Sequence, residues 1–373
     1  MKKKKVFFIS SAANIHTVRW VNALTDEFEV HLIYCKGHEV GINKINEQVI
    51  LHRLKYKYPL GYYLNAWELN RLFRKIRPDI INVHYASGYG TLVRMARVKP
   101  VILSVWGSDV YDFPKQSKWK RRILYKNIKN ADRVASTSNK MADRLRKEFP
   151  ELSKEITITP FGVDINRFNN NGMEKDKNTF KIGLIKTLMK KYGIEYAILA
   201  VSKLKKDLIK EGKLEIAQKI QFDIYGDGEE KESLQELIKK EGMEDCIRLK
   251  GRIPNKEVPN VLNQLDVFCA TSILDSESFG VAVVEAMSCE VPVIVSDVDG
   301  FSEVVKNNET GIIVERMNVE ETTKALHQLL DNEQLRKEMG KRARQRVIKY
   351  YNWEDNVQTM KNLYYVVSST KEE

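Results

Sequence analysis

The sequence predicts an α/β protein made of two doubly wound domains, each built on a parallel sheet. Short β-rich runs alternate with amphipathic segments along the first part of the chain, and a second alternating series begins at Phe180. Alternation of this kind is typical of parallel sheets with helices on both faces. The length of 373 residues also exceeds what one hydrophobic core usually organises.

The first series contains β-rich runs separated in places by helical patterns. The predicted strands are Val6–Ser10, Val30–Tyr34, Ile80–Val83, Val101–Val105, Val134–Ser136 and Ile156–Thr159. The predicted helices are Thr17–Leu24, Trp67–Ile76 and Met141–Phe149. This series predicts a first domain over residues 1–165.

The second series follows a polar segment, Asn166–Asn178, which is rich in Asn, Gly and Lys and is predicted to be a linker. Its strands are Lys181–Ile185, Ile220–Tyr225, Ile247–Leu249, Val267–Ala270, Val293–Val295 and Ile312–Val314. We therefore expect a second domain over residues 166–349. In doubly wound sheets, ligands bind at the carboxyl ends of the strands.

The composition is that of a soluble protein, with 43% hydrophobic and 30% charged residues. No run approaches the roughly 18 apolar residues of a membrane span. The apolar stretch Val6–Ile9, after the basic run Lys2–Lys5, is too short for a secretory signal. The sequence therefore predicts a cytoplasmic protein.

The formal charge of +12 predicts an anionic partner, which could be nucleic acid, lipid headgroups or a phosphorylated small substrate. The sequence has no zinc-finger, helix-turn-helix or RNP pattern, which argues against nucleic acid. Its cysteines lie far apart, without CxxC or a His at metal spacing, and are predicted to be reduced, buried and free of zinc. They are Cys35, Cys246, Cys269 and Cys289.

The most informative segment covers residues 272–314, SILDSESFGVAVVEAMSCEVPVIVSDVDGFSEVVKNNETGIIV. Glu277 and Glu285 stand eight positions apart, separated by a predicted turn into an apolar helix. Glu277 would precede the helix N-terminus, and Glu285 would lie about one turn inside it, on the face of Val281. The N–H groups of Phe279, Gly280 and Val281 suit an anion, and the carboxylates suit hydroxyls. The pattern therefore indicates a phosphorylated sugar.

An ordinary βαβ crossover with two solvated acids is the simpler interpretation of the two glutamates. However, the order SFG, EAM, a Pro-Val strand and TGIIV resembles the Glu-x7-Glu signature of retaining glycosyltransferases of family 4. The resemblance implies the GT-B fold, in which two Rossmann-like domains face a cleft, the first binding acceptor and the second nucleotide-sugar. It also implies that the last helix, at about residues 350–373, returns to the first domain.

Lys186 and Lys191 follow the first strand of the second domain, five positions apart. This offset resembles the Arg/Lys-x4-Lys pair with which the family holds the donor diphosphate. Lys186 replaces the more usual Arg, so that a point charge replaces a bidentate fork. Lys190 is an alternative to Lys191, and ordinary surface lysines are the simpler interpretation.

Two further loops at strand ends are candidates for the donor site. Gly226 and Gly228 flank Asp227 after the next strand, where glycine permits close backbone approach to a ligand, although a plain turn explains them equally well. The resemblance places this loop beside the nucleotide. It also implies that Arg252 and Ile253 flank the base, uracil.

His84 ends a predicted strand of the first domain and precedes a glycine-containing loop. The resemblance implies a catalytic histidine here, directed at the donor sugar, and a satisfied structural histidine is the alternative. The segment Trp106-Gly107-Ser108-Asp109 resembles a variant of the family's acceptor loop. Asp109 is predicted either to orient an acceptor hydroxyl or to cap the next helix.

The N-terminal loop SSAANIHTVRW departs from the family, many of whose members have a Gly-Gly pair there. Asn14 tolerates left-handed geometry, so we expect the turn to be kept. Asn14 and His16 are assigned to the acceptor site, with Arg19 as an alternative contact to an acceptor phosphate. A second departure is Glu290, where relatives usually carry a helix-terminating Gly.

The segment at residues 115–129, KQSKWKRRILYKNIK, interleaves basic residues with Trp119 and several aliphatic positions. A basic amphipathic helix fits an anionic membrane surface. A helix that turns Leu124 and Ile128 to the core is the alternative. The side chains predicted to meet lipid headgroups are Lys118, Lys120, Arg121 and Arg122.

These features predict a retaining glycosyltransferase that moves a hexose or N-acetylhexosamine from a UDP-sugar to a glycan acceptor. The resemblance implies an acceptor on a polyprenyl diphosphate, a role in bacterial surface polysaccharide (O-antigen or capsule) biosynthesis, and a peripheral location on the inner face of the plasma membrane. Because the lysines and the N–H groups at the helix N-terminus could neutralise the diphosphate in place of a divalent ion, we expect no metal or other cofactor. The alternatives are a UDP-sugar epimerase or hydrolase of the same fold, and a non-catalytic basic protein that binds lipid or nucleic acid.

Overall fold

The chain divides into two units, each built around its own parallel sheet. The computed structural model describes residues 3–369, so that Lys2 of the basic N-terminal run lies outside the described residues. Unit 1 comprises residues 1–161 and 354–373, and unit 2 comprises residues 162–353. The sequence placed these boundaries at about residues 165 and 350.

Unit 1 contains a seven-stranded sheet in which all neighbouring strands are parallel. Its strands are β1 (Lys4–Ile9), β2 (Phe28–Lys36), β3 (Ile50–Lys57), β4 (Ile80–His84), β5 (Val101–Val105), β6 (Arg133–Ser136) and β7 (Ile156–Ile158). They are arranged in the order β3-β2-β1-β4-β5-β6-β7. The strand order reverses between β1 and β4, which is where doubly wound sheets bind ligands.

The edge strand β3 is the one strand of unit 1 that the sequence did not predict. Its residues, ILHRLKYK, are mostly polar, and Leu54 alone among them is fully buried. Central strands such as β1 are instead buried on both faces and therefore read as continuous apolar runs.

Short connections and helices join the strands of unit 1. The helices are α1 (Ile15–Leu24), α2 (Gly61–Leu64), α3 (Ala66–Ile76), α4 (Gly88–Ala96), α5 (Ser108–Tyr111), α6 (Lys118–Asn130) and α7 (Asn139–Glu148). A 3₁₀ turn at Pro114–Gln116 precedes α6. Helix α4 contacts α2, α3 and α6, so these four helices form one continuous layer.

Unit 2 contains a six-stranded sheet, which is also parallel throughout. Its strands are β8 (Phe180–Ile185), β9 (Ile220–Tyr225), β10 (Ile247–Gly251), β11 (Val267–Ala270), β12 (Val293–Ser296) and β13 (Ile312–Val314). They are arranged in the order β10-β9-β8-β11-β12-β13, so that the strand order reverses between β8 and β11. The sequence predicted all six.

Helices cover this second sheet, and two 3₁₀ turns, Lys190–Tyr192 and Asn255–Glu257, lie between them. The helices are α8 (Ile194–Lys210), α9 (Leu214–Lys219), α10 (Lys231–Glu241), α11 (Val258–Asn263), α12 (Val281–Ser288), α13 (Asp299–Val304), α14 (Val319–Asp331) and α15 (Glu333–Tyr350). The predicted linker packs on this unit, where Asn263 Nδ2 donates to the Asn169 carbonyl over 2.9 Å.

The last helix, α16 (Trp353–Ser369), packs on unit 1. Its Tyr364 is fully buried, lies edge-on to Phe28 at 5.6 Å, and donates a hydrogen bond of 2.9 Å from its hydroxyl to Asn82 Oδ1. Within residues 3–369, no helix has both the length and the hydropathy needed to cross a membrane. The four cysteines are buried and free, as predicted.

Candidate functional site

The switch point of unit 2 holds a partly buried ion pair between Lys186 and Glu277. Lys186 directly follows β8, and its Nζ contacts Oε2 of Glu277 in the loop after β11. The two side chains are 23% and 10% exposed. Burial, the largest single effect, acts to lower the pKa of Lys186, but the effects of Glu277, Tyr192 and Glu285 together outweigh it, so the pKa of Lys186 is raised. The sequence predicted both residues for this site, but it did not predict that they pair.

A tyrosine brings the two predicted phosphate-binding lysines together. Lys186 Nζ and Lys191 Nζ lie 4.4 Å and 4.9 Å from the centre of the Tyr192 ring. Lys190 is exposed and Lys191 is half-buried. The geometry therefore favours Lys191 over Lys190 as the partner of Lys186. Tyr192 was missed because a single tyrosine between a lysine and a glycine forms no recognisable pattern.

The charge of Glu285 makes a smaller contribution to raising the pKa of Lys186. Glu285 is one turn inside α12, as the sequence predicted. Val281, Ala282 and Glu285 are the half-exposed positions of this otherwise buried helix. Glu277 thus pairs with Lys186 directly, whereas Glu285 acts on it through its charge.

Helix α12 begins after Gly280, which has φ of +79° and provides no side-chain cap. A Cβ atom at Gly280 would approach the Phe301 ring to 2.7 Å, so the tight turn between the two glutamates needs glycine. The preceding Phe279 is buried and packs edge-on against Tyr351 at 5.4 Å.

Ion pairs hold the loop that carries Glu277. Arg316, after β13, contacts Asp275 at 3.1 Å and Asp297 at 2.8 Å, and so connects the loop ends of three neighbouring strands. Gly300 N donates to the Glu277 carbonyl over 3.1 Å. These supporting residues were not predicted, since Asp275 and Asp297 lie within the 272–314 segment but outside the glutamate pair, and Arg316 lies beyond it.

The Gly-Asp-Gly loop after β9 faces protein backbone. A Cβ atom at Gly226 would lie 1.8 Å from the carbonyl oxygen of Lys186, and one at Gly228 would lie 2.3 Å from that of Leu188. Leu188 N also donates to the Asp227 carbonyl over 3.1 Å. The two glycines therefore let this loop support the segment that carries Lys186, and their contact with a donor stays a prediction.

Arg252 and Ile253 follow β10 at the same edge of the sheet. The exposed Arg252 guanidinium lies 3.6 Å from Asp227 Oδ2, which joins the loops after β9 and β10. Their predicted role beside a base is compatible with this position and stays a prediction.

In unit 1, His84 is fully buried at the end of β4. Its ring packs against Phe8 at 4.3 Å and Trp106 at 4.4 Å, and Nε2 lies 3.1 Å from Asn82 Oδ1. Since Asn82 Oδ1 also accepts from Tyr364, we assign the proton to Nε2, which leaves Nδ1 as a bare acceptor. That atom is buried without a hydrogen-bond partner among the described residues.

Burial lowers the pKa of His84 well below its usual value, with a smaller contribution from the charge of His16. The imidazole is therefore neutral at physiological pH. Its catalytic role stays a prediction, and the structure adds that a neutral Nδ1 is the atom with unused hydrogen-bonding capacity.

An aromatic cluster surrounds this histidine at the carboxyl edge of the first sheet. His16 stacks on Phe161 at 4.2 Å, and Trp106 lies 5.8 Å from His16 and 5.1 Å from Tyr85. Tyr85 has φ of +70°, which is uncommon for a residue with a side chain and marks a strained turn directly after His84. His16 thus belongs to this cluster, and its assignment to the acceptor site stays a prediction.

Asp109 connects the loops that follow β4 and β5. Its carboxylate accepts hydrogen bonds from the backbone N–H groups of Ala86 (2.8 Å), Trp106 (3.1 Å) and Gly107 (2.9 Å). Burial raises the pKa of Asp109 although these donors act in the opposite direction. Gly107, and not Asp109, is the N-cap of α5, so the capping alternative is wrong. In this structure Asp109 braces two loops, and contact with an acceptor stays a prediction.

Asn14 caps α1 by accepting a hydrogen bond of 2.8 Å from His16 N. Its backbone is extended, with φ of −81° and ψ of 127°, so the expected left-handed turn is wrong. An N-cap requires β-region geometry, which Asn adopts readily. Its amide oxygen is therefore already engaged, and acceptor binding by Asn14 stays a prediction.

The basic segment forms α6, which buries Ile123, Leu124 and Ile128 in the core of unit 1. The helix thus follows the core-facing alternative, and its aliphatic side chains are not available to a membrane. Arg121 pairs with Glu148 at 2.6 Å, while Trp119 remains 62% exposed.

Among residues 3–369, no group of three or more His, Cys, Asp or Glu side chains is arranged to hold a metal ion.

Two family models match the chain. One, described as "Glycosyl transferases group 1", matches residues 166–346, and the other, described as "Glycosyl transferase 4-like", matches residues 5–138. The first spans the whole Lys186–Glu277–Glu285 site. The protein is a glycosyltransferase.

Full-length relatives agree with this identification. The glycosyltransferase is 25% identical to N-acetyl-alpha-D-glucosaminyl L-malate synthase of Bacillus anthracis, over 91% of this chain and 89% of the relative. It is 27% identical to UDP-Gal:alpha-D-GlcNAc-diphosphoundecaprenol alpha-1,3-galactosyltransferase of Escherichia coli, over 79% of this chain and 77% of the relative.

Solved structures show the fold. Sucrose-phosphate synthase from Thermosynechococcus elongatus superposes with a TM-score of 0.83 at 17% identity, over 99% of this chain and 100% of that chain. Anabaena HepE in complex with UDP gives a TM-score of 0.75 at 14% identity, over 97% and 100%. The glycosyltransferase therefore has the GT-B fold, as the sequence predicted.

Proposed function

We propose that this glycosyltransferase transfers a hexose or N-acetylhexosamine from a UDP-sugar to a glycan acceptor, with retention of anomeric configuration. The observation that carries the proposal is the arrangement at the unit 2 switch point, where Lys186 pairs with Glu277 and shares the Tyr192 ring with Lys191. Glu285 lies one turn inside α12, the helix that follows Glu277. Cations suit a diphosphate, and carboxylates suit sugar hydroxyls. HepE, which shares the fold, was solved with UDP.

Each residue of the site has a distinct role in this proposal. Lys186 and Lys191 neutralise the diphosphate, together with backbone N–H groups at residues 279–281. Glu285 binds ribose hydroxyls and Glu277 binds hydroxyls of the transferred sugar. Arg252 and Ile253 flank the uracil.

Leaving-group stabilisation supplies much of the catalysis in this mechanism. The bond between the anomeric carbon and the β-phosphate oxygen breaks, and negative charge accumulates on that oxygen beside Lys186 and Lys191. The acceptor hydroxyl oxygen bonds to the same face of the sugar, and its proton passes to the departing phosphate. Because the lysines provide the positive charge, the reaction needs no divalent metal.

The acceptor is a glycan on a polyprenyl diphosphate, and the reaction belongs to surface polysaccharide assembly of the O-antigen or capsule type, on the inner face of the plasma membrane. The Escherichia coli relative is named for a diphosphoundecaprenol-linked acceptor. The net charge of +12 favours association with anionic lipid headgroups. Unit 1 supplies the acceptor loops around His84, Asp109, Asn14 and His16.

The direct test is a screen of UDP-sugars for UDP release with and without a diphosphoundecaprenol-linked saccharide, in the presence of EDTA. We expect release that depends on the acceptor, a product with the donor's anomeric configuration by proton NMR, and full activity in EDTA. UDP release at the same rate without acceptor would instead indicate a hydrolase or epimerase. Inverted product would contradict retention, and loss of activity in EDTA that Mg²⁺ restores would contradict metal independence.

A further inference from the structure

Unit 1 exposes an apolar face on α2 and α3 that the chemistry above does not use. The two helices are joined at Asn65, which keeps right-handed helical geometry with φ of −82° and ψ of 0°. Leu60, Tyr63, Leu64 and Trp67 recur at spacings of three and four, so they lie on one side of this continuous turn of chain. We refer to these four residues as the α2–α3 outer face.

The outer face is exposed because the opposite side of the same helices already fills the core. Gly61, Asn65 and Leu69 are buried on that inner side. The exposed fractions of Leu60, Tyr63, Leu64 and Trp67 are 68%, 41%, 54% and 73%. Single exposed apolar residues are ordinary, but four adjacent ones that include Trp and Tyr mark an interaction surface.

The chain segment that forms this face is rich in positive charge. Residues 50–77 contain seven Lys and Arg and a single acid, Glu68. Arg71 lies one turn beyond Trp67, with its guanidinium 5.8 Å from the indole ring. Lys55 and Lys57, on the exposed edge strand β3, precede the helices. Exposed apolar and aromatic side chains in a basic segment match the headgroup region of an anionic bilayer, where Trp and Tyr are favoured and each basic residue adds attraction.

The face also lies at the edge of the sheet where the acceptor loops begin. Helix α2 follows the carboxyl end of β3, as the loop after His84 follows that of β4. Tyr62 packs against Gly88, where a Cβ atom would come within 2.5 Å of its ring. Gly88 begins α4, four residues after His84. A bilayer on the outer face would therefore be close to the acceptor loops.

We propose that the α2–α3 outer face, and not α6, is the surface by which unit 1 docks on an anionic lipid bilayer. Leu60, Leu64 and Trp67 enter the headgroup region, while Arg71, Lys55 and Lys57 bind lipid phosphates. The biological purpose of this docking rests on the proposed lipid-linked acceptor, but binding itself can be measured without any reaction.

Tryptophan fluorescence locates the contact. On vesicles of phosphatidylglycerol and phosphatidylcholine, the wild-type emission should shift to shorter wavelength, because Trp67 leaves water. The shift should be lost in Trp67→Phe and kept in Trp119→Phe. Both variants retain an aromatic side chain at the changed position, so they differ only in which tryptophan is removed. A shift lost in Trp119→Phe and kept in Trp67→Phe would place the contact on α6 and overturn the proposal.

Vesicle co-sedimentation tests the energetic contribution of the face. The variant Leu60→Ser/Leu64→Ser/Trp67→Ser should bind anionic vesicles at least about tenfold more weakly than the wild type, a change of roughly 1.4 kcal/mol. The matched control Ile209→Ser/Leu214→Ser alters similarly exposed residues of unit 2, at 45% and 55%, and should bind like the wild type. Equal binding by the triple variant, or equal binding of wild type to pure phosphatidylcholine, contradicts the proposal.

Two further measurements distinguish a lipid-binding face from a subunit interface and from a variant that has lost its fold. If light scattering showed a wild-type dimer and a monomeric triple variant, the face would be a subunit interface and the proposal would be wrong. The far-UV circular dichroism spectrum and the urea unfolding midpoint of the triple variant should match those of the wild type, which shows that unit 1, where the substitutions lie, is folded. Vesicle binding is measured without any reaction, so it does not depend on the proposed transferase activity. The docking proposal and the proposed function can therefore be contradicted independently.

Discussion

At the scale of single residues, the ion pair of Lys186 and Glu277 links the stability of unit 2 to its chemistry. In the absence of a diphosphate, the largely buried Glu277 carboxylate is the counter-ion of Lys186. A diphosphate would compete for that ammonium. Glu277 would then be released toward the sugar hydroxyls beside it, so one lysine serves both states.

The two glutamates should respond differently to removal. Glu285→Ala should weaken UDP binding by about tenfold or more, because charged hydrogen bonds to ribose are worth about 1.5–3 kcal/mol. Glu277→Ala should bind UDP as well as or more tightly than the wild type, since Lys186 loses its competing partner, yet lose sugar transfer. Calorimetric titration with UDP checks both, with Glu320→Ala as a surface control. Unchanged UDP affinity in Glu285→Ala would contradict the ribose assignment.

The raised pKa of Lys186 makes a prediction about alkaline pH. A lysine whose pKa is higher in the folded state stabilises the fold fully below its unfolded pKa of about 10.4 and loses that contribution above it. Lys186→Met should therefore lower the free energy of unfolding by about 2 kcal/mol, equally at pH 7 and pH 9. The difference should shrink at higher pH. Urea unfolding across this range measures it, and a difference that vanished by pH 8 would show that Lys186 is not held as a charged partner.

At the scale of loops and helices, the glycine loop after β9 should be essential for the position of Lys186. Gly226→Ala places a Cβ atom 1.8 Å from the Lys186 carbonyl oxygen and should cost about 1–3 kcal/mol beyond the backbone strain. Gly251→Ala is the matched control, because Gly251 also has positive φ, of +73°, but no atom lies within 4 Å of the added Cβ. The control should cost about 1 kcal/mol. Equal unfolding free energies for the two variants would contradict the proposed contact.

The end of α12 explains the unusual Glu290. This residue has φ of +60° and follows the helix C-terminus, and Val291 N donates to the Ala286 carbonyl over 3.1 Å, as in a Schellman motif. Glycine is favoured at such a position. Relief of backbone strain in Glu290→Gly should therefore raise the free energy of unfolding by up to about 1 kcal/mol. The variant also loses the 2.9 Å hydrogen bond from Asn170 to Glu290 Oε2, which reduces this gain. A fall in the unfolding free energy would show that this hydrogen bond outweighs the strain.

The helices and strands also show where sequence reasoning succeeds. Buried parallel strands such as β1 and β12 are apolar runs bounded by polar turns, so the sequence alone is enough to predict them. The exposed strand β3 has no such pattern, because edge positions accept polar residues, and α2 is only four residues long. The α2–α3 outer face was missed for a different reason, since its apolar residues resemble core residues until their exposure is known.

Within the site, sequence motifs identified the charged groups but not the residues that hold them. Lys186, Glu277 and Glu285 stand in recognisable segments. Tyr192, Arg316 and the aromatic cluster at Trp106 depend on contacts between strands that are distant in sequence, and no local spacing predicts them. The expectation for Asn14 failed because a helix N-cap and a left-handed turn favour the same residue type.

At the scale of the whole molecule, the chain combines two Rossmann-like units that differ in the side chains at the carboxyl ends of their strands. Unit 2 concentrates paired cations and carboxylates at its switch point, whereas unit 1 presents buried polar loops, an aromatic cluster and an exposed apolar face. The central claim is that unit 2 holds the diphosphate of a UDP-sugar through Lys186. This claim is tested by comparing ligands that differ only in that diphosphate.

The most direct measurement is the ratio of UDP to uridine affinity in wild type, Lys186→Met and Lys190→Met, by calorimetric titration. We predict that the wild type binds UDP much more tightly than uridine. The ratio should fall by about tenfold or more in Lys186→Met, equivalent to about 1.4 kcal/mol. It should stay unchanged in Lys190→Met, because the side chain of Lys190 is exposed. A ratio in Lys186→Met equal to that of the wild type would contradict the account.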